Sequence, residues 1–552
     1  MLRMLGYGFA AAGIALPLFF FGACGSSGSG GAENGEGGAD GTSSGGSGGG
    51  SGGGSGSSSS GGGSGGGSGG SSGGAGASVL QFHSHPNRDG FFVDSKLTEA
   101  AVATMHLDTT FAGTISGKVY GTPLYVENGV GGKGTFYIAT ASNNVYALDE
   151  ATGAVQWTTG PTTLGTAAQN TGAGCGNVGP IGVIGTPAID LATRLIVLDA
   201  GKDDGSGNVA THTIWALSID DGSVKWSVDA SKISANGVTF SPQPQSERGA
   251  VLIAGGSAYV AYGGYYGDCG NYHGWVIGVP LSGTGAKGWA TQVGGAGIWG
   301  PGGPASDGQS VFVTTGNGIG GGATWAESEG VFRLDPGPSF TNNAADYFAP
   351  SNWQSLDNGD VDMSGSGPLV IDAPSMNPSA LVMAQGKDGN LYLLNRANLG
   401  GIGTANVGTL QVLSGEITNA GAWATIGGTT YVVVRPNGGG SGMGCPNGMS
   451  GDLVGVKLDP TAAQKMSVVW CVDAQGEGSP SITSSDGTHD PMVWTAGASG
   501  SNKLHSWDLV TGNPVFQGGS DTIDNVRKFT APIAAHGRIF VGGDNKLYAF
   551  TL

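Results

Sequence analysis

From residue 120 onward, hydrophobic and polar residues alternate in short runs that are bounded by Gly, Pro, Asn or Asp. A clear example is VYALD at residues 145–149, which is followed by Thr152-Gly153 and then by Trp157. Alternation places one face of a strand against a core, and the Thr-Gly pair closes a hairpin. The pattern therefore predicts short antiparallel strands joined by tight turns.

A longer repeat combines these strands into larger units. A small residue and a short apolar strand recur eight times, and in six copies a Pro stands between them. The copies begin near residues 123, 187, 249, 304, 368, 423, 480 and 532, so they lie 52 to 64 residues apart. Repeats of about 50 residues are typical of propeller blades. We therefore predict an all-β fold, an eight-bladed β-propeller of four-stranded antiparallel blades.

The last repeat is too short for a complete blade. Residues 529–552 supply about three strands (TAPIAA, RIFVGG and KLYAFT). We expect the fourth strand to come from residues 107–116 (LDTTFAGTIS), which precede the first blade. Pairing this N-terminal strand with the C-terminal blade closes the ring and removes exposed strand edges. The alternative, an open β-solenoid, does not require a shortened last repeat.

The N-terminal part of the chain has a different character. Arg3 precedes an apolar run at residues 9–21, which is typical of a secretion signal and is shorter than the roughly 20 residues that span a bilayer. Residues 25–78 are almost wholly Gly and Ser. Such a composition cannot bury enough apolar surface to fold, so we expect a flexible linker with an end-to-end distance of roughly 40 Å.

The tripeptide Gly22-Ala23-Cys24 resembles the lipobox of bacterial lipoproteins, in which the cysteine carries diacylglycerol after cleavage. A plain signal peptide with a coincidental cysteine is the alternative. By analogy with lipoprotein sorting, the absence of Asp after Cys24 favours an exported protein that is lipid-anchored to the cell envelope at the outer membrane. The predicted domains are a lipoprotein signal peptide (1–23), the lipidated cysteine with its Gly/Ser linker (24–78) and the propeller (79–552).

Composition and charge exclude several classes of protein. Gly accounts for 112 of the 552 residues and charged residues for only 11%, which excludes an ordinary helical protein. The formal net charge of −18 makes nucleic acid and anionic membrane surfaces poor partners. Gly-rich runs such as residues 318–322 lack the strand-to-helix context of a dinucleotide-binding loop, so we expect no nicotinamide cofactor.

Four cysteines lie in the predicted propeller: Cys175, Cys269, Cys445 and Cys471. An even number of cysteines in an exported chain is typical of disulfides. Three pairings are possible, and we favour Cys175 with Cys269 and Cys445 with Cys471 because each pair then joins neighbouring repeats or lies within one. The spacings contain no CxxC or CxxCH motif, so a zinc knuckle and covalently bound haem are not expected.

The segment YALDEATGAVQW at residues 146–157 resembles the repeat of pyrroloquinoline quinone (PQQ) propeller proteins. The resemblance extends over residues 79–552. That family includes eight-bladed quinoprotein alcohol dehydrogenases, which bind PQQ and Ca²⁺ in the central channel, and non-enzymatic lipoproteins of the outer-membrane assembly machine. The repeat therefore implies a fold rather than a reaction.

The resemblance also suggests cofactor-binding residues. VTTGNG at residues 313–318 is similar to the segment whose Asn ligates Ca²⁺, which assigns Asn317 to the metal. QGKDGNLY at residues 385–392 is similar to the segment whose cation touches the quinone oxygens, which assigns Lys387 to the cofactor. Trp299 is expected near the channel mouth, where its ring stacks on a flat ligand or plugs the channel.

The chain departs from the dehydrogenases at the catalytic base. The family has a His-Asp-x-Trp-Asp segment, whereas residues 357–363 read DNGDVDM. Alignment of the last Asp assigns Asp362 to the metal and places Gly359 where the base belongs, while a shift of one residue assigns Asp360 as the base. The adjacent cysteine pair of many of these enzymes is also missing, since Cys175 stands alone.

Two functions follow from these observations. The first is a monomeric cell-envelope lipoprotein whose propeller is a binding or scaffold module, with protein partners or a small polyol or alcohol as its ligand. The second is a PQQ- and calcium-dependent dehydrogenase that oxidises alcohols or sugars. Convergence of Asn317, Lys387 and one of the aspartates on a single cavity would favour the second.

Overall fold

The computed structural model describes residues 78–320, 322–437, 444–446 and 448–552. The predicted signal peptide, Cys24 and all but the last residue of the linker lie outside these ranges. No helix within the described ranges is long and apolar enough to cross a membrane. The described α-helices are short: α1 (Glu99–Val102), α2 (Pro161–Leu164) and α3 (Trp353–Gly359).

In the described residues, eight sheets are the successive blades, and a ninth sheet of two strands lies between blades 2 and 3. Two short strands come first: β1 (Phe91–Val93) and β2 (His106–Leu107). Blade 1 contains β3 (Leu124–Val126), β4 (Thr135–Thr140), β5 (Asn144–Asp149) and β6 (Val155–Thr159). Blade 2 contains β7 (Ala188–Asp190), β8 (Leu195–Asp203), β9 (Val209–Ser218) and β10 (Val224–Asp229), and a hairpin of β11 (Ser234–Ala235) and β12 (Val238–Thr239) follows it.

The next two blades carry additional strands. Blade 3 contains β13 (Gln245–Ser246), β14 (Leu252–Ala254), β15 (Ser257–Gly264), β16 (Trp275–Pro280) and β17 (Lys287–Ala290). Blade 4 contains β18 (Ala305–Ser306), β19 (Val311–Thr314), β20 (Val331–Leu334) and β21 (Tyr347–Pro350). Blade 5 contains β22 (Leu369–Asp372), β23 (Ala380–Gln385) and β24 (Asn390–Asn395), after which β25 (Gly401–Gly403) pairs with β21 and β26 (Gly408–Gln411) completes blade 5.

The remaining blades complete the ring. Blade 6 contains β27 (Ala422–Ile426), β28 (Thr429–Val434), β29 (Leu453–Leu458) and β30 (Met466–Val472). Blade 7 contains β31 (Ser481–Ser484), β32 (Met492–Ala496), β33 (Leu504–Asp508) and β34 (Pro514–Phe516). Blade 8 contains β35 (Ile533–Ala535), β36 (Arg538–Gly543) and β37 (Lys546–Thr551). The predicted eight-bladed propeller is confirmed.

The predicted closure of the ring is also confirmed. Strand β2 pairs antiparallel with β37, so that His106 lies opposite Thr551. The pairing continues at a bridge between Thr114 and Lys546. Residues 106–114 therefore supply the outer strand that blade 8 lacks.

Tryptophans join neighbouring blades. The indole N–H of three of them donates to a carbonyl of the next blade at 2.7 to 3.0 Å: Trp157 to Ile219, Trp226 to Leu281 and Trp470 to Leu509. A glycine of the next blade lies against each of these rings: Gly222, Gly283 and Gly512. A side chain at these glycines would collide with the indole, so the small residue is required for the contact between blades.

The favoured disulfide pairing is confirmed as well. Cys175 is bonded to Cys269 with a Cα–Cα distance of 5.8 Å, and Cys445 is bonded to Cys471 with a Cα–Cα distance of 5.7 Å. The first bond joins the loop before blade 2 to a loop of blade 3. The second holds the loop between β28 and β29 against β30.

Residues 79–93, which we call the plug, cross one end of the channel, and this feature was not predicted. Hydrogen bonds join the plug to the first strand, or the turn before it, of seven blades, which the plug meets in order from blade 1 to blade 7. The plug residues that form these bonds are Val79, Leu80, Gln81, Pro86, Asn87, Asp89 and Gly90. Strand β1, at the end of the plug, runs parallel to β31. Since one short segment meets seven blades around the axis, it closes this end of the channel.

The side chains of the plug are buried at the axis. Phe82 packs against Ala250, Ala420 and Ala531, which come from blades 3, 6 and 8. The guanidinium of Arg88 is fully buried and donates to the carbonyls of Pro304 at 2.9 Å and Phe82 at 3.0 Å. These bonds satisfy backbone acceptors that would otherwise be buried without a partner.

Candidate functional site

The sequence-predicted site residues of blades 4 and 5 lie in one cluster. The ammonium of Lys387 is 2.5 Å from Oδ2 of Asp362 and 3.0 Å from Oδ1 of Asp360. The backbone N–H of Asn317 donates to Oδ1 of Asp362 at 2.8 Å. We call Asn317, Asp360, Asp362 and Lys387 the acid–lysine cluster.

Local backbone geometry brings these residues together. Asp360 adopts a left-handed conformation, with φ of 55° and ψ of 46°, and ends helix α3. The chain then turns beneath the loop between β23 and β24, where the backbone N–H of Lys387 donates to the carbonyl of Asp362 at 2.9 Å. Gly389 closes this loop with φ of 75°, and a Cβ atom there would lie 2.0 Å from the carbonyl oxygen of Leu413. Glycine is therefore needed at that position.

Burial and pairing oppose each other within the cluster. Burial raises the pKa of the Asp362 carboxyl, and the Lys387 ammonium acts in the opposite direction. Burial alone would lower the pKa of Lys387, but Asp362 and Asp360 outweigh it and raise that pKa above its ordinary value. Lys387 therefore carries a positive charge. The Asp362 side chain is only 4% exposed, so its negative charge is compensated by this ammonium rather than by water.

Trp299 lies beside the acid–lysine cluster. The Lys387 ammonium is 5.4 Å from the centre of the Trp299 ring, and the Arg248 guanidinium is 5.8 Å from it. Cations at such distances are attracted to the face of the indole. Arg248 was not identified from the sequence, because no motif surrounds it and its contact with Trp299 depends on how the loops before blades 3 and 4 fold.

Two further acids lie around the cluster. Glu329 is fully buried, and its Oε2 accepts from the backbone N–H of Met363 at 2.8 Å. Burial, with a smaller contribution from Asp362, raises its pKa well above the ordinary value. The oxygens of Asp357 accept from the backbone N–H of Gly318 and from the hydroxyl of Ser328, so Asp357 forms a separate structural contact. Nothing in the sequence marked Glu329 as part of the site.

The acid–lysine cluster does not fit a calcium ion. Ca²⁺ takes six to eight oxygen ligands, several of them carboxylate. Here one oxygen of Asp362 accepts from Lys387 and the other from Asn317, so the ammonium occupies the place of a cation. Within the described residues no group of three or more His, Cys, Asp or Glu side chains is arranged to hold a metal.

The donors of Lys387 are also fully used. An ammonium group has three N–H donors. Three acceptors surround this one: Oδ2 of Asp362 at 2.5 Å, Oδ1 of Asp360 at 3.0 Å and the carbonyl of Asp360 at 3.2 Å. The arrangement leaves no N–H of Lys387 for a quinone oxygen.

Comparison with known proteins gives one family match by sequence. Residues 96–266 match the family described as outer membrane protein assembly factor BamB. No curated protein matches the sequence. The family match covers blades 1 and 2 and part of blade 3.

Solved structures match over most of the chain. The quinohemoprotein alcohol dehydrogenase ADHIIG of Pseudomonas putida HK5 has a TM-score of 0.59 and 12% identity, over 86% of this chain and 80% of that chain. A europium-containing methanol dehydrogenase has a TM-score of 0.56 and 14% identity, over 86% and 98%. The quinohemoprotein alcohol dehydrogenase of Comamonas testosteroni has a TM-score of 0.53 and 15% identity, over 86% and 80%. At these identities the likeness shows the fold alone, and together with the family match it confirms the resemblance to eight-bladed PQQ-repeat propellers.

Proposed function

We propose that this protein is a binding module built on a PQQ-like propeller, and that it does not work as a calcium-dependent dehydrogenase. The observation that carries the proposal is the saturation of Lys387 by Asp360 and Asp362. A residue that stabilises a reduced quinone must offer free donors to it. In this chain the same ammonium neutralises two carboxylates instead.

The plug is consistent with a binding role. It closes one end of the channel and leaves the opposite mouth as the way in for a ligand. Arg248 and Trp299 lie at this mouth, next to a cavity of about 500 Å³. Cavities of roughly this size are typical of small-molecule sites.

The second candidate remains a PQQ-dependent dehydrogenase of alcohols or sugars. It is favoured by the convergence of Asn317, Asp362 and Lys387, which the resemblance assigned to the cofactor and its metal, with Trp299, which was expected to stack on a flat ligand or plug the channel. In that function Asp360, whose side chain is 65% exposed, would serve as the base.

Calorimetric titration of the purified full chain with PQQ, with and without Ca²⁺, separates the two functions. We expect no calcium-dependent binding and no dye reduction with a panel of alcohols and sugars. Tight binding that requires Ca²⁺ and is lost in Lys387→Ala, together with turnover, would contradict the binding-module proposal. Asp307→Asn, which removes a carboxylate from blade 4 outside the cluster, is the control.

We also propose that the chain is exported and lipid-anchored through Cys24. The four propeller cysteines, all disulfide-bonded, fit an oxidising compartment. The test is membrane fractionation with metabolic labelling by a radioactive fatty acid. We expect Cys24→Ser to lose the label and leave the membrane fraction, and retention of both would contradict the proposal.

A further inference from the structure

A cavity next to Arg248 is lined by residues from six blades, or the loops before them, and by Phe82 of the plug. Its cationic and aromatic walls are Tyr120, Arg248, Arg527, Lys528 and Phe529. None of these was identified from the sequence as a site residue. We call this space the mouth cavity.

The charge balance of the mouth cavity is positive. Arg527 is neutralised by Asp544, whose Oδ1 accepts from its Nε at 2.8 Å. Lys528 lies 3.5 Å from Glu477, and both side chains are one-third exposed, so solvent weakens this pair. Arg248 forms no hydrogen bond or ion pair with any residue that the structure describes. An unpaired cation at this place is notable in a chain with a net charge of −18.

Aromatic rings hold the Arg248 guanidinium in place. Its central carbon is 5.8 Å from the centre of the Trp299 ring and 5.5 Å from that of Phe529. Burial lowers the pKa of this guanidinium, and Tyr120 partly offsets the effect. A guanidinium whose neighbours are aromatic rings keeps its N–H donors for a planar bidentate acceptor, which a carboxylate supplies.

The rest of the lining suits a ligand with hydroxyl groups. Amide and hydroxyl side chains face the cavity from three blades or the loops before them, namely Asn177, Ser499, Asn502 and Asn525. Amides donate and accept hydrogen bonds, as sugar hydroxyls also do. The rings of Phe82 and Tyr120 provide apolar surface for the C–H face of a sugar ring.

We propose that the mouth cavity binds an acidic sugar, with its carboxylate on Arg248 and its hydroxyls on the surrounding amides. The inference rests on the proposed binding function and names the class of its ligand. The ligand carboxylate would supply the counter-charge that Arg248 lacks. Its ring would occupy the space between Tyr120 and Phe529.

Calorimetric titration of the full chain with sodium glucuronate tests the inference. We expect saturable binding that weakens as salt is raised, whereas glucose, benzoate and inorganic phosphate bind at least about tenfold more weakly. A charge-assisted hydrogen bond contributes about 1.5 to 3 kcal/mol, so Arg248→Gln is expected to lower the affinity by about 10- to 100-fold. Arg194→Gln, which removes a charge paired with Asp220 away from the cavity, should leave the affinity unchanged.

Asn177→Ala provides a second variant in case Arg248→Gln does not fold, and we expect it to weaken glucuronate binding by about tenfold. Absence of glucuronate binding at millimolar concentration, or equal binding by wild type and the cavity variants, would overturn the inference. Preference for benzoate or phosphate would overturn the sugar assignment. These outcomes differ from a failure of the binding-module proposal. That proposal fails only if PQQ binds in a calcium-dependent way and the binding is lost when Lys387 is replaced.

Discussion

The ammonium of Lys387 lies 2.5 Å from Oδ2 of Asp362, a carboxylate that is almost completely buried. The resemblance to quinoprotein dehydrogenases assigned this lysine to the cofactor and this aspartate to the metal. A buried carboxylate without a counter-ion is costly, and the lysine supplies that counter-ion from the chain itself.

The first prediction concerns the stability of this pair. Asp362→Asn leaves the Lys387 ammonium with only Asp360 as its charged partner and weakens the acceptor of the Asn317 N–H. Removing one member of a buried ion pair costs about 3 to 5 kcal/mol, so the free energy of unfolding should fall by about 3 kcal/mol. Urea denaturation measures the change.

Asp360→Asn is the matched control for that variant. Its carboxylate contacts the same ammonium but is 65% exposed, so the variant should cost less than about 1 kcal/mol. Equal losses for the two variants would show that the buried pair has no special role. A double-mutant cycle between Lys387→Met and Asp362→Asn would then show no coupling.

The second prediction is a pH dependence at Glu329. Its pKa is raised in the folded protein, chiefly by burial, so between its ordinary pKa and the folded value the folded state holds more protons than the unfolded state. The contribution of Glu329 to the free energy of unfolding is therefore greatest below about pH 4.5. It decreases as the pH rises, by at most about 1.4 kcal/mol per pH unit.

Glu329→Gln removes this titration and keeps an acceptor for the Met363 N–H. We expect the unfolding free energy of the variant, relative to wild type, to increase as the pH rises from about 4.5 towards the folded-state pKa of Glu329. Urea unfolding at several pH values measures the difference. Glu127→Gln, at an exposed site that follows β3 in blade 1, is the comparison, and a flat profile for Glu329→Gln would contradict the prediction.

The blades were predictable from the sequence because their signals are local. A Pro precedes the first strand in six of the eight repeats, and a Thr-Gly or Asp-Gly turn lies a few residues before Trp157 and its equivalents. The eight predicted starts all fall within three residues of the observed first strands. The closing strand at residues 106–114 was predictable because the last repeat is short.

The plug and the mouth cavity depend on contacts between distant parts of the chain. Residues 79–93 show no alternation, and their partners are spread over seven blades. Arg248 and Phe529 are brought together only when the ring closes. The resemblance identified Lys387, but its saturation depends on the left-handed backbone at Asp360, which no sequence motif specifies.

The third prediction tests the contact between blades at Gly283. A Cβ atom there would lie 2.5 Å from Cγ of Trp226, and the residue has φ of 80°. Gly283→Ala should therefore lower the free energy of unfolding by about 2 to 3 kcal/mol through both overpacking and backbone strain. Gly285→Ala is the matched control, because that glycine has φ of 78° and open space around it. It should incur only the backbone cost of about 1 kcal/mol, and equal losses for the two variants would contradict the packing argument.

The fourth prediction concerns the plug, through Phe82. This side chain is 2% exposed and packs on alanines of three blades, so the plug and the ring should unfold as one unit. Phe82→Ala is expected to cost about 3 to 5 kcal/mol because it leaves a cavity at the axis. Phe82→Leu keeps most of the volume and should cost less than about 1.5 kcal/mol.

Urea unfolding followed by tryptophan fluorescence measures the stability of the ring, and limited proteolysis between residues 79 and 93 measures the exposure of the plug. The prediction would be contradicted if the plug of Phe82→Ala became sensitive to protease while the ring kept its wild-type stability. The ring would then be stable without the plug, and the two would unfold independently.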